Sequence, residues 1–374
     1  MPRFLHTSDL HLAKPFGRFD ESLRGRLREA RFAKIAEIAQ LARDRAAGTV
    51  LLAGDTFDAQ TPPPRVVRQA IRAFADASDI RWVILPGNHD SLAASELWDR
   101  IVREKPDNVI LALDPLPVDV GADMTLLPAP PQVRHPGRDL TEWMDDAETD
   151  PARVRVGLAH GGIRDFGSDD AAPGVIAPDR ARSAGLDYLA LGDWHGRLRV
   201  DARTWYSGAP EPDSFKRHDR AGPLLVEIAA PGATPDVEAI PTGHFSWCAP
   251  RVDLRPGEDI RAALEAALPA PAARRDALVR MTVEGRLPLG AQAQVERVCA
   301  DLADDFGHFE ADTSAIATEH DTTDLDDIDT AGALRVAAER LLADSEDADR
   351  AADERRVSER ALSRLYTMAR EVSQ

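Results

Sequence analysis

The chain has 374 residues and a formal net charge of -18, with 43% hydrophobic and 29% charged residues. That is a globular composition, long enough for two or three domains at about 100–200 residues each. The acidic balance excludes a protein that coats nucleic acid by bulk attraction, which needs Lys and Arg to displace counterions. Two cysteines, Cys248 and Cys299, exclude a disulfide framework and a thiolate metal cluster. No apolar run reaches the length of a membrane span, and Met1–His6 leads into polar residues without a secretory signal's apolar stretch, so the expectation is a cytoplasmic protein.

Five short apolar runs follow one another, each closed by residues able to bind metal. Phe4-Leu5 leads into His6-Thr7-Ser8-Asp9-Leu10-His11, and Thr49–Ala53 into Gly54-Asp55. Trp82–Leu85 leads into Pro86-Gly87-Asn88-His89-Asp90, Val154–Ala159 into His160-Gly161-Gly162, and Tyr188–Leu191 into Gly192-Asp193-Trp194-His195. Such runs read as buried strands. Between them, residues 21–47 place Leu23, Leu27, Ile35, Ile38 and Leu41 on one helical face, with Gly48 suited to the cap. The arginines of that helix read as an outer face. Pro62–Pro64 precede a second helix with Val67, Ile71 and Phe74 inward. Residues 128–151, rich in proline at their start, read as a surface excursion. Strand–helix alternation predicts an α/β sandwich whose ligands gather at the carboxyl ends of the strands.

A second region begins near Phe245. Arg251–Leu254 and 278–285 read as strands, 259–268 and 291–306 as helices, together a small α+β domain. Residues 301–374 hold 20 acids and 8 bases, and 301–334 hold 11 acids and no base, the pattern of an exposed linker. The tail is helical by pattern. Its stripe of Val357, Leu362, Leu365, Met368 and Val372 either docks a partner helix or packs on its own domain. The expected divisions are 1–243, 244–312 and 313–374.

Asp9, His11, Asp55, Asn88, His160 and His195 mix carboxylate, amide and imidazole ligands. That set suits Mn²⁺, Fe or Zn²⁺. It is more than one ion needs. Two ions about 3.5–4 Å apart with a carboxylate between them use it fully, clamp a phosphoryl group and activate water as hydroxide. A leaving alkoxide needs a proton, which an imidazole beside the ions supplies.

The motifs Ser8-Asp9-Leu10-His11, Gly54-Asp55-Thr56-Phe57-Asp58, Gly87-Asn88-His89-Asp90, His160-Gly161-Gly162 and Gly192-Asp193-Trp194-His195-Gly196 resemble those of the calcineurin-like metallophosphoesterases. Tyr206–Phe215 and the region after Phe245 resemble the SbcD-like nuclease subunits of double-strand-break repair, to about residue 310. The resemblance implies a four-layer αββα sandwich, a small α+β capping domain that binds DNA, and a helical tail. It implies a metal-dependent DNA exonuclease that hydrolyses phosphodiesters through a metal-bridging hydroxide. It also implies an SbcC-like coiled-coil ATPase as partner, and it leaves a homodimer open. One metal would be held by Asp9, His11, Asp55 and His195, the other by Asp55, Asn88, His160 and residue 193, with Mn²⁺ the first choice. His89 would protonate the leaving group or stabilise the transition state, and Asp90 would orient it. The family has His where this chain has Asp193, so Asp193 either ligates directly or hydrogen-bonds a ligating histidine. A small-molecule phosphoesterase, for nucleotides or cyclic nucleotides, and a non-catalytic scaffold with a relict site are the alternative readings. His135, His244, His308 and His320 read as ordinary surface residues. The basic cluster Lys216–Arg220, with His218, touches a phosphate backbone or is a solvated turn.

Overall fold

The computed structural model describes residues 1–164, 175–216, 222–318 and 332–372, and the chain divides into two compact units, Met1–Phe245 and Ser246–Gln374.

The first unit is built on two six-stranded sheets. One has the order β12-β11-β1-β2-β3-β4, formed by β1 (Arg3–Thr7), β2 (Thr49–Ala53), β3 (Arg81–Leu85), β4 (Val109–Leu111), β11 (Leu224–Glu227) and β12 (Asp236–Ala239). The other has the order β5-β6-β7-β8-β10-β9, formed by β5 (Val118–Val120), β6 (Met124–Ala129), β7 (Val154–His160), β8 (Tyr188–Gly192), β9 (Leu198–Arg199) and β10 (Thr204–Tyr206). The five strands expected from the sequence are all present and run parallel to one another within each sheet, and β1 also pairs antiparallel with β11. Fully buried parallel strands carry apolar side chains on both faces, which is why they read as unbroken runs.

Alternation along those strands builds the layers. Phe4, Leu51, Ala53 and Val83 meet Leu126, Val156, Leu158 and Tyr188 between the two sheets. Leu5, Val50, Leu52 and Trp82 face the opposite way, onto α1 (Glu21–Asp44), α2 (Pro64–Asp76) and α3 (Ser95–Glu104). Helix α1 starts on Asp20, whose side chain accepts from the Leu23 N–H, a good N-cap. It ends at Arg45, with Ala46 rather than Gly48 taking the left-handed turn. The far face of the second sheet is covered thinly, by the single turn α4 (Arg180–Ser183), a 3₁₀ turn at Glu142–Asp145 and irregular chain. Residues 128–151 are therefore more than a surface excursion: Met144 is fully buried and Asp139 is paired with Arg180.

The second unit is an all-parallel sheet of β13 (Ser246–Cys248), β14 (Arg251–Leu254), β15 (Ala277–Leu287) and β16 (His308–Thr318), with α5 (Ile260–Ala266) and α6 (Leu289–Ala303). Strand β16 corrects two expectations. It occupies residues read as linker, and it runs through the expected division at 312/313. Its ladder to β15 outweighs the acidic composition, because Glu310 and Asp312 sit on a partly solvated strand. The tail forms α7 (Ala333–Glu346) and α8 (Ala352–Val372). Leu362 and Tyr366 of α8 pack with Ala338 against Leu289 and Ala293 of α6, so the tail packs on its own unit. Val357 and Met368 stay exposed, outside that contact. The acidic run 321–329 lies outside the described residues, as do His320 and the cluster's Arg217, His218 and Arg220.

Candidate metal centre

Register brings the ends of the strands level. Ala53 pairs with Leu85 in the first sheet, and His160 pairs with Gly192 in the second. The residues that follow therefore emerge at one edge of the sandwich, from both sheets. Asp9 and His11 follow β1, Asp55 follows β2, Asn88 and His89 follow β3, His160 ends β7, and Asp193 and His195 follow β8. The turns are held together by backbone bonds. Asp9 N donates to the Gly54 carbonyl at 3.1 Å and His11 N to the Asp55 carbonyl at 2.9 Å.

These turns are strained where the candidate ligands sit. Asp9, His11, Asp55 and Asp193 have φ of 58°, 43°, 54° and 96°. Non-glycine residues there cost about 1–3 kcal/mol each and persist where surrounding structure enforces them. Close approach explains two glycines. A Cβ on Gly54, itself at φ 88°, would collide with the His160 ring, and one on Gly192 with the Ala53 carbonyl.

Three groups of metal-capable atoms result among the described residues, one of them His11, Asp58 and His89 beside the two that hold the strand-end carboxylates. Ligand atoms of Asp9, His11 and His195 converge within 4.8 Å of one another, as do those of Asp9, Asp55 and His160. His11 Nε2 lies 3.0 Å from His195 Nε2 and 3.4 Å from Asp55 Oδ2, and His160 Nε2 lies 3.6 Å from the same Asp55 oxygen. Asp55 thus stands between the two clusters. His160 Nδ1 is committed to the Ala53 carbonyl at 2.9 Å, so its Nε2 faces the site. The Asn88 amide nitrogen donates to Asp193 Oδ1 at 2.9 Å, so its carbonyl faces in. Both inward atoms, His160 Nε2 and Asn88 Oδ1, are buried without a hydrogen-bond partner among the described residues. Buried polar atoms are rarely left so. Oxygen and imidazole donors with orphaned inward atoms fit a pair of hard divalent cations.

The electrostatics agree. Burial first, then the Asp90 and Asp9 charges, push the Asp55 carboxyl up to about 8 against the pull of His160. Burial alone would lower His160, but Asp55, Asp9 and Asp193 outweigh it and raise it to about 9. Burial and the charges of His195, Arg31 and Lys14 hold His11 well below the usual imidazole range. The site carries negative charge that only bound protons or cations neutralise.

His89 is held by Asp58, not Asp90. Its Nδ1 lies 2.9 Å from the Asp58 carbonyl, which leaves Nε2 as the free ring nitrogen. The expected role of Asp90 is corrected. Its carboxylate accepts from Gly87 N at 2.7 Å and Phe57 N at 2.9 Å and ties two turns together. Asp193 stands 3.8 Å from His160 Nε2 while accepting from Asn88.

Sequence reasoning missed a layer of charge behind the site. Arg31, read as an outer residue, is buried, with its guanidinium on the carbonyls of Asp9 and Leu10 and on Asp213. Lys34 pairs with Glu211, which also accepts from the backbone of His244 and Phe245. A helical pattern shows only spacing, and these partners lie about 180 positions away in the chain. His135 is exposed, as expected, but with Arg134 it lines a cavity of about 470 Å³ that opens on Asn88, His160 and Asp193.

Residues 2–197 match the calcineurin-like phosphoesterase family. The chain belongs to that family. Among curated relatives, it is 29% identical to the DNA double-strand break repair protein Mre11 of Aeropyrum pernix, over 70% of this chain and 66% of that one. It is 27% identical to the SbcD component of the nuclease SbcCD of Rhodobacter capsulatus, over 78% of this chain and 90% of that one. An uncharacterized metallophosphoesterase, YhaO of Bacillus subtilis, is 26% identical over 60% of this chain and 57% of its own. No helix among the described residues is long and apolar enough to cross a membrane.

Proposed function

We propose that this calcineurin-like phosphoesterase is a two-metal phosphodiesterase that acts on DNA ends, as the nuclease subunit of a complex with a coiled-coil ATPase. The observation that carries the chemistry is the orphaned inward pair, His160 Nε2 and Asn88 Oδ1, on one side of Asp55, with His11 and His195 on the other. The choice of DNA is supported by likeness to a DNA double-strand break repair protein and to a nuclease subunit over most of the chain, the second spanning nearly the whole relative.

Asp9, His11, Asp55 and His195 would hold one ion, and Asp55, Asn88 and His160 the other, with Asp193 beside it. Bound there, a divalent pair, Mn²⁺ first among the candidates, polarises a phosphoryl group and lowers the pKa of water. The protein's own residues do the rest. Asp193 turns the Asn88 carbonyl inward. His89, anchored through Nδ1, hands a proton from Nε2 to the leaving oxygen. Arg134 and His135, on the cavity wall, are available to a phosphate flanking the scissile one. The negative charge does not oppose this reading, since two thirds of it lies in residues 301–374. It does leave much of the DNA affinity to the ATPase.

The test is release of nucleotides from linear DNA by the Mn²⁺-loaded chain, alone and with the ATPase encoded nearby. Cleavage that is lost in Asp55→Ala supports the reading. Hydrolysis of small phosphoesters without DNA cleavage under either condition overturns it. That outcome favours the second reading, a small-molecule phosphoesterase, which the size of the cavity also suits.

A further inference from the structure

Asp213 lies 18 residues past His195, in a stretch whose likeness to the SbcD-like nucleases gave it no role. We propose that Asp213 is the positioning residue of His195, held in place by Arg31 and Lys14; this rests on the metal-centre reading above.

The Asp213 side chain is 3% exposed and uses both oxygens. Oδ1 lies 3.1 Å from His195 Nδ1. Oδ2 takes the Lys14 ammonium at 2.7 Å and the Arg31 guanidinium at 3.0 Å. An acceptor on Nδ1 selects the tautomer whose Nε2 lone pair is free, and carboxylates serve ligating histidines in this way. In the structure that Nε2 is the atom 3.0 Å from His11 Nε2 and 4.0 Å from Asp9 Oδ1. The His195 side chain is 29% exposed, so packing alone does not hold the ring.

A buried carboxylate near a second one, Asp58, is tolerated only with compensating charge, and the two cations provide it. Arg31 does more. Through Nη1 it donates to the carbonyls of Asp9 at 3.2 Å and Leu10 at 2.6 Å. The same guanidinium therefore supports the left-handed turn that presents Asp9 and the carboxylate that aims His195. These are two ligands of one metal position, and they come from opposite sheets. One turn further along α1, Lys34 grips Glu211, two residues before Asp213. Helix α1 thus holds the 211–213 segment at two points.

The experiment measures Mn²⁺ binding to the full chain by titration calorimetry, for wild type and Asp213→Asn, with thermal unfolding as control. The expected result is two ions on wild type. On the variant, one ion binds at wild-type affinity and the other 10–100-fold more weakly. Two ions at unchanged affinity on the folded variant overturn the proposal. A merely structural role would not weaken one position and spare the other. Should the variant unfold, nitrogen-15 spectra of histidine in the Zn²⁺-loaded wild type decide. His195 protonated at Nδ1 and ligated at Nε2 supports the proposal, and the reverse overturns it. A wild-type chain that binds fewer than two ions contradicts the metal-centre reading itself, a different outcome from either.

Discussion

The Nε2 atoms of His11 and His195 lie 3.0 Å apart, and each ring has its Nδ1 within 3.1 Å of a carboxylate oxygen, Asp58 for the first and Asp213 for the second. The His195 Nδ1 is hydrogen-bonded to Asp213, which turns its Nε2 toward His11, whereas His11 Nδ1 lies close to Asp58 without a hydrogen bond. A proton on either ring satisfies the pair in the metal-free chain, and the spacing also suits neighbouring ligands each about 2.1 Å from a shared ion. Substituting His11→Ala should remove one of two bound Mn²⁺ ions, read by calorimetry, and lower phosphodiester hydrolysis by at least about 10²-fold, the scale of losing positioned charge.

His89 should matter through the leaving group. His89→Ala is expected to lower kcat on DNA by about 10²–10⁴-fold, the usual worth of general acid catalysis, with both ions still bound. Bis(p-nitrophenyl) phosphate, whose leaving group needs no proton, should lose much less. Equal losses on the two substrates would remove His89 from the proton-donor role.

Metal binding should release protons. In the metal-free site Asp55 is pushed up to about 8 and His160 to about 9, so both hold protons at pH 7. A divalent ion must displace them, and affinity therefore rises as pH climbs from 7 toward 9. Calorimetry at pH 7 in buffers of different ionisation heat should find one to two protons released per chain. Binding with no proton release contradicts the assignment of Asp55 and His160.

The five strands that carry the candidate ligands were legible because each is an apolar run with an abrupt polar stop, four of them at a glycine. Asp9, His11, Asp55, Asn88, His160 and His195 were singled out from those stops as candidate ligands. What stayed hidden depends on pairing at long range. Arg31 and Lys34 look like any helix-surface cations until Asp213 and Glu211 are brought to them. Strand β16 hid behind its acids, since an edge strand buries little of itself. In the tail, Leu362 and Leu365 of the expected stripe turn inward, whereas Val357 and Met368 do not. Tyr366 does much of the packing.

Away from the site, His6 should make stability fall in acid. Its ring is fully buried between the sheets, bridging the Tyr188 hydroxyl at 2.9 Å and the Leu191 carbonyl at 3.2 Å. Burial depresses it to about 3. The unfolded chain takes up this proton below about 6.5 and the folded chain does not, so this group's contribution falls by about 1.4 kcal/mol per pH unit from 6.5 toward 3. Denaturant unfolding of wild type and His6→Gln across that range measures it, and the variant's slope should be shallower by the His6 share, with that of His11 retained.

Arg134 should act on substrates with a second phosphate. Arg134→Ala is expected to raise KM for DNA about tenfold, the worth of one charge-assisted hydrogen bond, and to leave bis(p-nitrophenyl) phosphate unaffected. A common change in both would assign Arg134 to stability instead of substrate contact.

The central claim is that two ions act together on a DNA phosphodiester. The most direct measurement is the rate of nucleotide release from linear DNA as Mn²⁺ is titrated into the metal-free chain. Activity should stay near background through the first equivalent and rise to its plateau over the second. A full rate at one equivalent, or none at two with small phosphoesters still cleaved, would contradict it.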